Sequence, residues 1–253
     1  QTFPVIETGD EESVFRYVDT ASSRSEIDAV TAKLEGQRIA IVGLGGTGSY
    51  ILDLVAKTPV KEIHVFDGDE FSQHNAFRSP GAPSIASLQT RPRKIPYWCA
   101  LYSAMHRYVI PHDYYITEAN VSELAPMDFV FLCLDRGPIK KVIVECLEQA
   151  QRPFVDVGMG IQLGDGSLNG LARVTASTVE KRDHVPARVS FGGDDGHNEY
   201  ARNIQVADLN ALNAALAVIK WKKLRGFYAD LEREHFCAYV IDGNNIINED
   251  SPV

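Results

Sequence analysis

The spacing of apolar residues changes period several times along the chain. Arg38 to Val42 is a largely apolar run of the kind a strand buried on both faces shows, and it runs into a cluster of glycines. Ser49 to Lys57 has helical spacing and stops before Pro59. Lys61 to Phe66 predicts a second strand, and a polar stretch rich in Ser, Pro and Gln follows it. Then come a helix over Ile95 to Tyr108, a short strand over Tyr114 to Thr117 and an apolar strand over Phe129 to Leu134. Ile139 to Ala150 reads as a helix and Phe154 to Val157 as a strand. Upstream, Ile27, Val30 and Leu34 mark one helix face across Ser25 to Leu34, behind an acidic, aperiodic arm over Gln1 to Thr20. Beyond Gly158, glycines break up short strand-like pieces such as Leu171 to Val174. Ala176 to Asn203 is polar and reads as a long exposed loop, before a periodic helix over Ile204 to Leu224 and a closing strand over Phe236 to Ile241. Strands alternating with helices at this interval predict an α/β fold with a mostly parallel sheet and helices on both faces.

Composition narrows the class. At 253 residues and 45% apolar content the chain holds one sizeable core, and two full domains would be a tight fit. The expected division is an N-terminal arm and helix over 1–34 and one domain over 35–253, with the loop crossing over at about 175–203. A formal charge of -9 makes nucleic acid an unlikely partner. Cys99, Cys133, Cys146 and Cys237 form no CxxC pair, so neither a disulfide framework nor a four-thiolate zinc site is expected, and a reducing cytoplasm fits. No apolar run approaches the ~20 residues that span a bilayer. The opening residues lack a signal-peptide pattern, and Gln1 in place of Met is what a fragment would show.

The chemistry starts at Ile41-Val42-Gly43-Leu44-Gly45-Gly46-Thr47-Gly48-Ser49. Gly43, Gly45 and Gly48 match GxGxxG between a strand and a helix, and Asp67 closes the next strand. Without Cβ atoms, backbone amides at a helix N-terminus can touch phosphate oxygens, while an acid at Asp67 accepts bonds from ribose hydroxyls. The pattern is Rossmann-like and supports adenosine, in ATP as in NAD; the Walker pattern GxxxxGK[ST] is absent.

The stretch from Asp67 through Asn75 and Arg78, then Arg91-Pro92-Arg93-Lys94, then Leu132-Cys133-Leu134-Asp135, resembles the adenylation domain of the ThiF, MoeB and HesA superfamily, which activates ubiquitin-like proteins. In that family the turn reads GxGGxG, an acid-x-acid pair ends strand two, and an Asn and an Arg follow at +8 and +11. Asn75 and Arg78 stand at those intervals from Asp67. The resemblance covers roughly Glu35 to Ile161. It implies that Gly43, Gly45, Gly46 and Gly48 line the nucleotide, that Asp67 holds the ribose, that Asn75, Arg78 and Lys94 contact phosphates, and that Asp135 holds Mg²⁺. Arg93 competes for the lysine's role; Lys94 keeps the expected interval to His106. The alternative for these cations is a solvated basic face, and for Asp135 a helix N-cap. A further arginine of the family comes from an N-terminal segment of the partner subunit. Ser23-Arg24-Ser25 resembles that segment, with Arg16 as the alternative.

The resemblance implies an ATP-dependent, Mg²⁺-using adenylyltransferase that forms an acyl-adenylate and releases pyrophosphate. Its substrate would be the C-terminal carboxylate of a ubiquitin-like or sulfur-carrier protein, in a bacterial conjugation-like system with a downstream conjugating protein. It also implies a homodimer. A carboxylate attacking the α-phosphate meets like charge, so fixed cations and a metal suit the reaction, whereas hydride transfer needs neither. Rival readings are adenylation of a peptide or a modified tRNA, an NAD-dependent oxidoreductase, and a catalytically silent subunit. The chain departs from many relatives in two ways. It lacks the zinc-binding CxxC pairs, and no cysteine stands between Thr175 and Asn203 to form a thioester. His184 and His197, in that loop, are expected to be solvated.

Overall fold

The structure, a computed structural model, describes residues 5–9, 13–20, 27–135, 137–192 and 204–252. In chain order the main elements are β1 (Arg38–Val42), α1 (Gly46–Val55), β2 (Glu62–Phe66), α2 (Lys94–Tyr102), β3 (Val109–His112) and β4 (Phe129–Leu132). They continue with α3 (Pro138–Gln149), β5 (Phe154–Gly164), β6 (Ser167–Ser177), α4 (Ala207–Leu224), β7 (Phe236–Val240) and β8 (Asn245–Glu249). One eight-stranded sheet has the order β3-β2-β1-β4-β5-β6-β7-β8. The run from β3 to β5 is parallel, and β6, β7 and β8 are added antiparallel. Among the described residues no helix is long and apolar enough to cross a membrane.

Alternation along the central strands divides the interior into two layers, because successive side chains leave opposite faces. Ile39, Ile41, Phe129 and Phe131 enter one core, which α1, α2 and α4 cover with Ile51, Trp98 and Trp221. Ala40, Val42, Val130 and Leu132 enter the other, under Ile143, Val144 and Leu147 of α3. A strand buried on both faces has no polar face to show, so β1 and β4 read as apolar runs. A buried polar anchor beneath α4 is Trp221, whose Nε1 donates to Gln37 Oε1 at 3.2 Å.

Several boundaries differ from the sequence reading. The strand expected over Tyr114 to Thr117 lies instead at Val109–His112, where Pro111 is tolerated because β3 is an edge strand. Helix α2 ends at Tyr102, after which the chain turns so that buried His106 places Nε2 3.0 Å from Val60 O. The glycine-broken pieces after Gly158 form one long hairpin, β5–β6. Its turn is Asp165-Gly166, both at positive φ (50° and 79°), as a two-residue hairpin of this twist requires. Gly170, at φ 127°, would place a Cβ 1.9 Å from Gly160 O, so glycine there lets the two strands close. Strand β8 was not expected from the pattern; all five of its residues are exposed.

The described part of the crossover segment is more anchored than its polar composition suggests. A one-turn helix, Val185–Arg188, buries Val185 and Val189 in the α3-side core. Arg188 reaches Asp250 and Glu249 and lies 4.1 Å from the centre of the Phe236 ring. His184, expected to be solvated, is instead buried. Its Nε2 donates to Ala176 O at 2.9 Å, and burial pushes its pKa down. His197 lies outside the described residues.

Truncating the aromatic anchor tests this layering. Trp221→Ala should destabilise the fold by about 3–5 kcal/mol, through lost burial and a cavity beneath α4, measured as a shift in the urea unfolding midpoint. A loss under about 1 kcal/mol would show that α4 is not held by this side chain.

Candidate active site

In an open parallel sheet ligands sit outside the C-terminal ends of the strands, where the strand order reverses. Here that point lies between β1, which runs into Gly43, and β4, which runs on to Asp135. The turn after β1 is fixed from β2: Gly43 N–H donates to Phe66 O at 2.8 Å and Leu44 N–H to Asp67 Oδ2 at 2.7 Å. Three of its glycines are needed for close approach inside the protein. A Cβ would lie 2.8 Å from Cys133 O at Gly43, 2.2 Å from Asn210 Nδ2 at Gly46, and 1.9 Å from Gly43 O at Gly48. Gly45 is different: a Cβ there would meet nothing within 4 Å, so the turn faces open space at this residue. Gly45 is also the N-cap of α1 and supplies no side-chain cap, which leaves a helix N-terminus suited to an anion.

The acids and cations gather at the same edge. Asp67 is buried, and its carboxylate accepts the backbone N–H groups of Leu44 and Asp69 as well as Lys94 Nζ at 3.1 and 3.3 Å. Lys94, 6% exposed, also bonds Asp69 Oδ2 at 2.7 Å. Arg93 points elsewhere, to Asp113 at 2.7 Å and Gly68 O at 3.1 Å. The geometry thus separates the two candidates: Lys94 shares the site with Asp67, and Arg93 does not. Asn75 directs its Oδ1 to the N–H and hydroxyl of Ser72, both at 2.9 Å, a capping box that leaves its NH₂ for other partners. Arg78 follows one turn later, and its Nε is buried with no hydrogen-bond partner among the described residues. Burial lowers the pKa of His74, and the charges of Arg78 and Lys94 lower it further, which marks the positive field here. Asp135 is exposed in the loop after β4; the N-cap of α3 is Gly137, with no side-chain cap bond. Arg24 lies outside the described residues. Arg16, its alternative, donates from Nε to Ser103 O at 2.6 Å, at the end of α2.

Two residues of this edge were missed in the sequence. Asn210, fully buried on α4, accepts Thr47 Oγ1 at 3.0 Å and donates to Arg78 O at 3.3 Å, tying the glycine turn to the arginine segment. Its signal was available: Asn210 and Asn213, three apart, interrupt the apolar face of an otherwise ordinary helix. The Tyr115 ring packs on Gly68, where a Cβ would lie 2.6 Å away, and its hydroxyl donates to Asp69. Each of the four cysteines is only partly exposed, and burial raises every thiol pKa, that of Cys99 to about 11.

A glycine turn opening at a helix N-terminus, with a buried acid at the next strand and cations across from it, is an arrangement of the Rossmann-like α/β fold. The ThiF family model matches residues 21–168, more than half of the chain, and the chain belongs to the ThiF family. A yeast tRNA threonylcarbamoyladenosine dehydratase 2 (Saccharomyces cerevisiae) is 26% identical over 171 residues, which are 59% of this chain and 37% of that protein. Among solved structures, E. coli MccB with MccA-N7isoASN superposes with a TM-score of 0.72 at 16% identity, covering 93% of this chain and 72% of MccB. E. coli MccB with ATP gives 0.66 at 16% identity, covering 88% and 66%. These structures share the fold.

The acid–lysine cluster makes a pH prediction. Burial raises the Asp69 pKa, but hydrogen bonds from Lys94 and Tyr115 outweigh it and hold the carboxyl below its ordinary value. A depressed carboxylate contributes stability that is complete above the unfolded pKa of about 4 and is lost as pH falls through the folded value. Asp69→Asn should therefore destabilise the chain most above about pH 5, with the difference from the parent fading as pH falls below the unfolded value. A difference constant across that range, in urea titrations at each pH, would show that the carboxylate's charge contributes nothing.

Proposed function

We propose that the chain is an adenylyltransferase that uses ATP and Mg²⁺ to activate a carboxylate, most simply the C-terminal carboxylate of a ubiquitin-like or sulfur-carrier protein. The observation that carries this reading is Arg78: its Nε is buried with no partner among the described residues, and its backbone is tied through Asn210 to Thr47 in the first turn of α1, so an anion held at that turn would suit both. An ATP phosphate chain supplies one. Gly45 and the first amides of α1 would take phosphate oxygens, Asp67 the ribose, and Asn75 NH₂, Arg78 and Lys94 the remaining phosphate charge. Among the described residues no group of three or more acids, histidines or cysteines is arranged to hold a metal. Mg²⁺ takes one or two carboxylates and completes its shell with phosphates and water, and in this reading Asp135 would supply the carboxylate. The metal would neutralise phosphate charge. The chain's own cations would hold the α-phosphate for in-line attack by the carboxylate oxygen, and the bond to pyrophosphate breaks.

The domain over 35–253, the homodimer, the action of Arg24 in trans and a downstream conjugating protein belong to the same proposal. One second reading has its own support. The similarity to the yeast dehydratase favours a carboxylate carried on a modified tRNA nucleoside, while the charge of -9 opposes a nucleic-acid partner.

ATP–pyrophosphate exchange with candidate carrier proteins is the deciding experiment. Arg78→Ala, Lys94→Ala and Asp135→Ala should each lower exchange by on the order of 10² or more. Calorimetry should show binding of Mg²⁺-ATP and none of NAD. Near-normal exchange in all three variants, or NAD binding without ATP binding, would remove the assignment. Because no cysteine stands between Thr175 and Asn203 and burial raises every thiol pKa, the chain should stop at the acyl-adenylate or pass the acyl group to a nucleophile on another chain. Replacing Cys99, Cys133, Cys146 and Cys237 together by Ser should leave exchange largely intact. A reductant-sensitive adduct with the carrier would refute this.

A further inference from the structure

The function just proposed leaves one buried charge cluster unused, at the same end of the sheet. Arg173 on β6 stands opposite Gly158 on β5, and its guanidinium lies flat on that glycine: a Cβ there would be 2.7 Å from Cζ and Nη2 and 2.8 Å from Nε. Nη1 donates to Asp156 Oδ2 at 3.1 Å and to Thr175 Oγ1 at 3.4 Å. Nε and Nη2 have no partner among the described residues. They form the edge of the guanidinium whose two parallel N–H groups match a carboxylate. Asp156, 0% exposed, does not use up the arginine's charge, because Lys140 Nζ, itself buried, pairs with it at 2.6 Å. Two cations and one anion leave a surplus positive charge on a side chain only 16% exposed, where a bound carboxylate would be weakly screened.

The surroundings suit an extended peptide. Gly158 and Gly160 share the face of β5 on which Arg173 lies, and a Cβ at Gly160 would meet nothing within 4 Å, so a chain can lie close to the strand. The cluster borders the nucleotide edge. Cys133, whose carbonyl touches Gly43, feels the charges of both Asp156 and Lys140, and Asp135 follows two residues later. From β4 to β6 is two strand spacings, about 10 Å, which an extended chain at roughly 3.3 Å per residue covers in three residues.

We infer that Arg173 is the anchor of a carboxylate subsite: it binds an Asp or Glu side chain two or three positions before the last residue of the tail that is adenylated. The inference rests on the adenylation of a polypeptide tail. It is tested by pyrophosphate exchange with synthetic decapeptides that end in glycine and carry Asp, Glu, Ala or Lys at each of the four preceding positions.

With the parent chain, an acid at one or both of the two inferred positions should lower KM by at least about tenfold relative to Ala, with kcat little changed. Arg173→Gln, which retains a hydrogen-bond donor for Asp156, should abolish that preference, and Arg173→Lys should restore only part of it, having charge without the fork. Urea unfolding of each variant confirms that the fold is kept. Exchange with no preference for an acid, or a preference that survives in Arg173→Gln, overturns the subsite and leaves adenylation standing. Absence of exchange with every peptide, in a chain that binds ATP, overturns the polypeptide-tail reading and the subsite with it.

Discussion

The edge at the C-terminal ends of β1 and β4 depends on how closely α1 can settle onto the strands. The carbonyl of Gly43 occupies the place where a side chain at position 48 would begin, and the carboxamide of Asn210 occupies the same place at position 46. Any side chain at either residue would lift the helix N-terminus off β1 and β4 or push α4 aside. With the helix down, Leu44 N–H reaches Asp67, Thr47 reaches Asn210, and Asn210 reaches the backbone of Arg78. The positions of the acid, the amides and the arginine are therefore set by one tight contact. Only Gly45 is not consumed by it.

The charges are arranged in pairs that compete. Lys94 lies between Asp67 and Asp69, and Asp69 is shared with Tyr115. Lys140 and Arg173 share Asp156. Burying such groups carries a desolvation penalty that pairing only partly offsets, so each cluster is stabilised by any ligand that completes it. Arg78, like Arg182 and Arg225, has a buried guanidinium nitrogen with no partner among the described residues, and what sets it apart is its tie through Asn210 to the glycine turn.

Much of this was legible in the sequence, for identifiable reasons. Strands β1 and β4 are central and buried on both faces, so their apolar runs gave them away, and the intervals from Asp67 to Asn75 and Arg78 are carried by one local segment. What was not legible depends on distant parts of the chain. Whether Arg93 or Lys94 faces Asp67 is decided by Asp113, and the tie between Thr47 and Arg78 is made by Asn210 on α4. The β5–β6 hairpin was misread because its glycines look like breakers, although they serve close strand approach and a turn. The Asp-Gly pair at its tip was the overlooked signal. His184 was misread because polar neighbours said nothing of the core beneath it.

The lysine held between two acids bears on selectivity. If Asp67 takes ribose hydroxyls and Lys94 takes phosphate, each must give up part of the bond it makes with the other. A pyrophosphate that drew the lysine away would leave Asp67 with the N–H groups of Leu44 and Asp69 alone, and a nucleoside that engaged the carboxylate would leave Lys94 on Asp69 alone. A nucleotide meets both demands at once. On that reading the resting pair would act as a coincidence detector, favouring a molecule that brings base-bearing sugar and phosphate together over one that brings either alone.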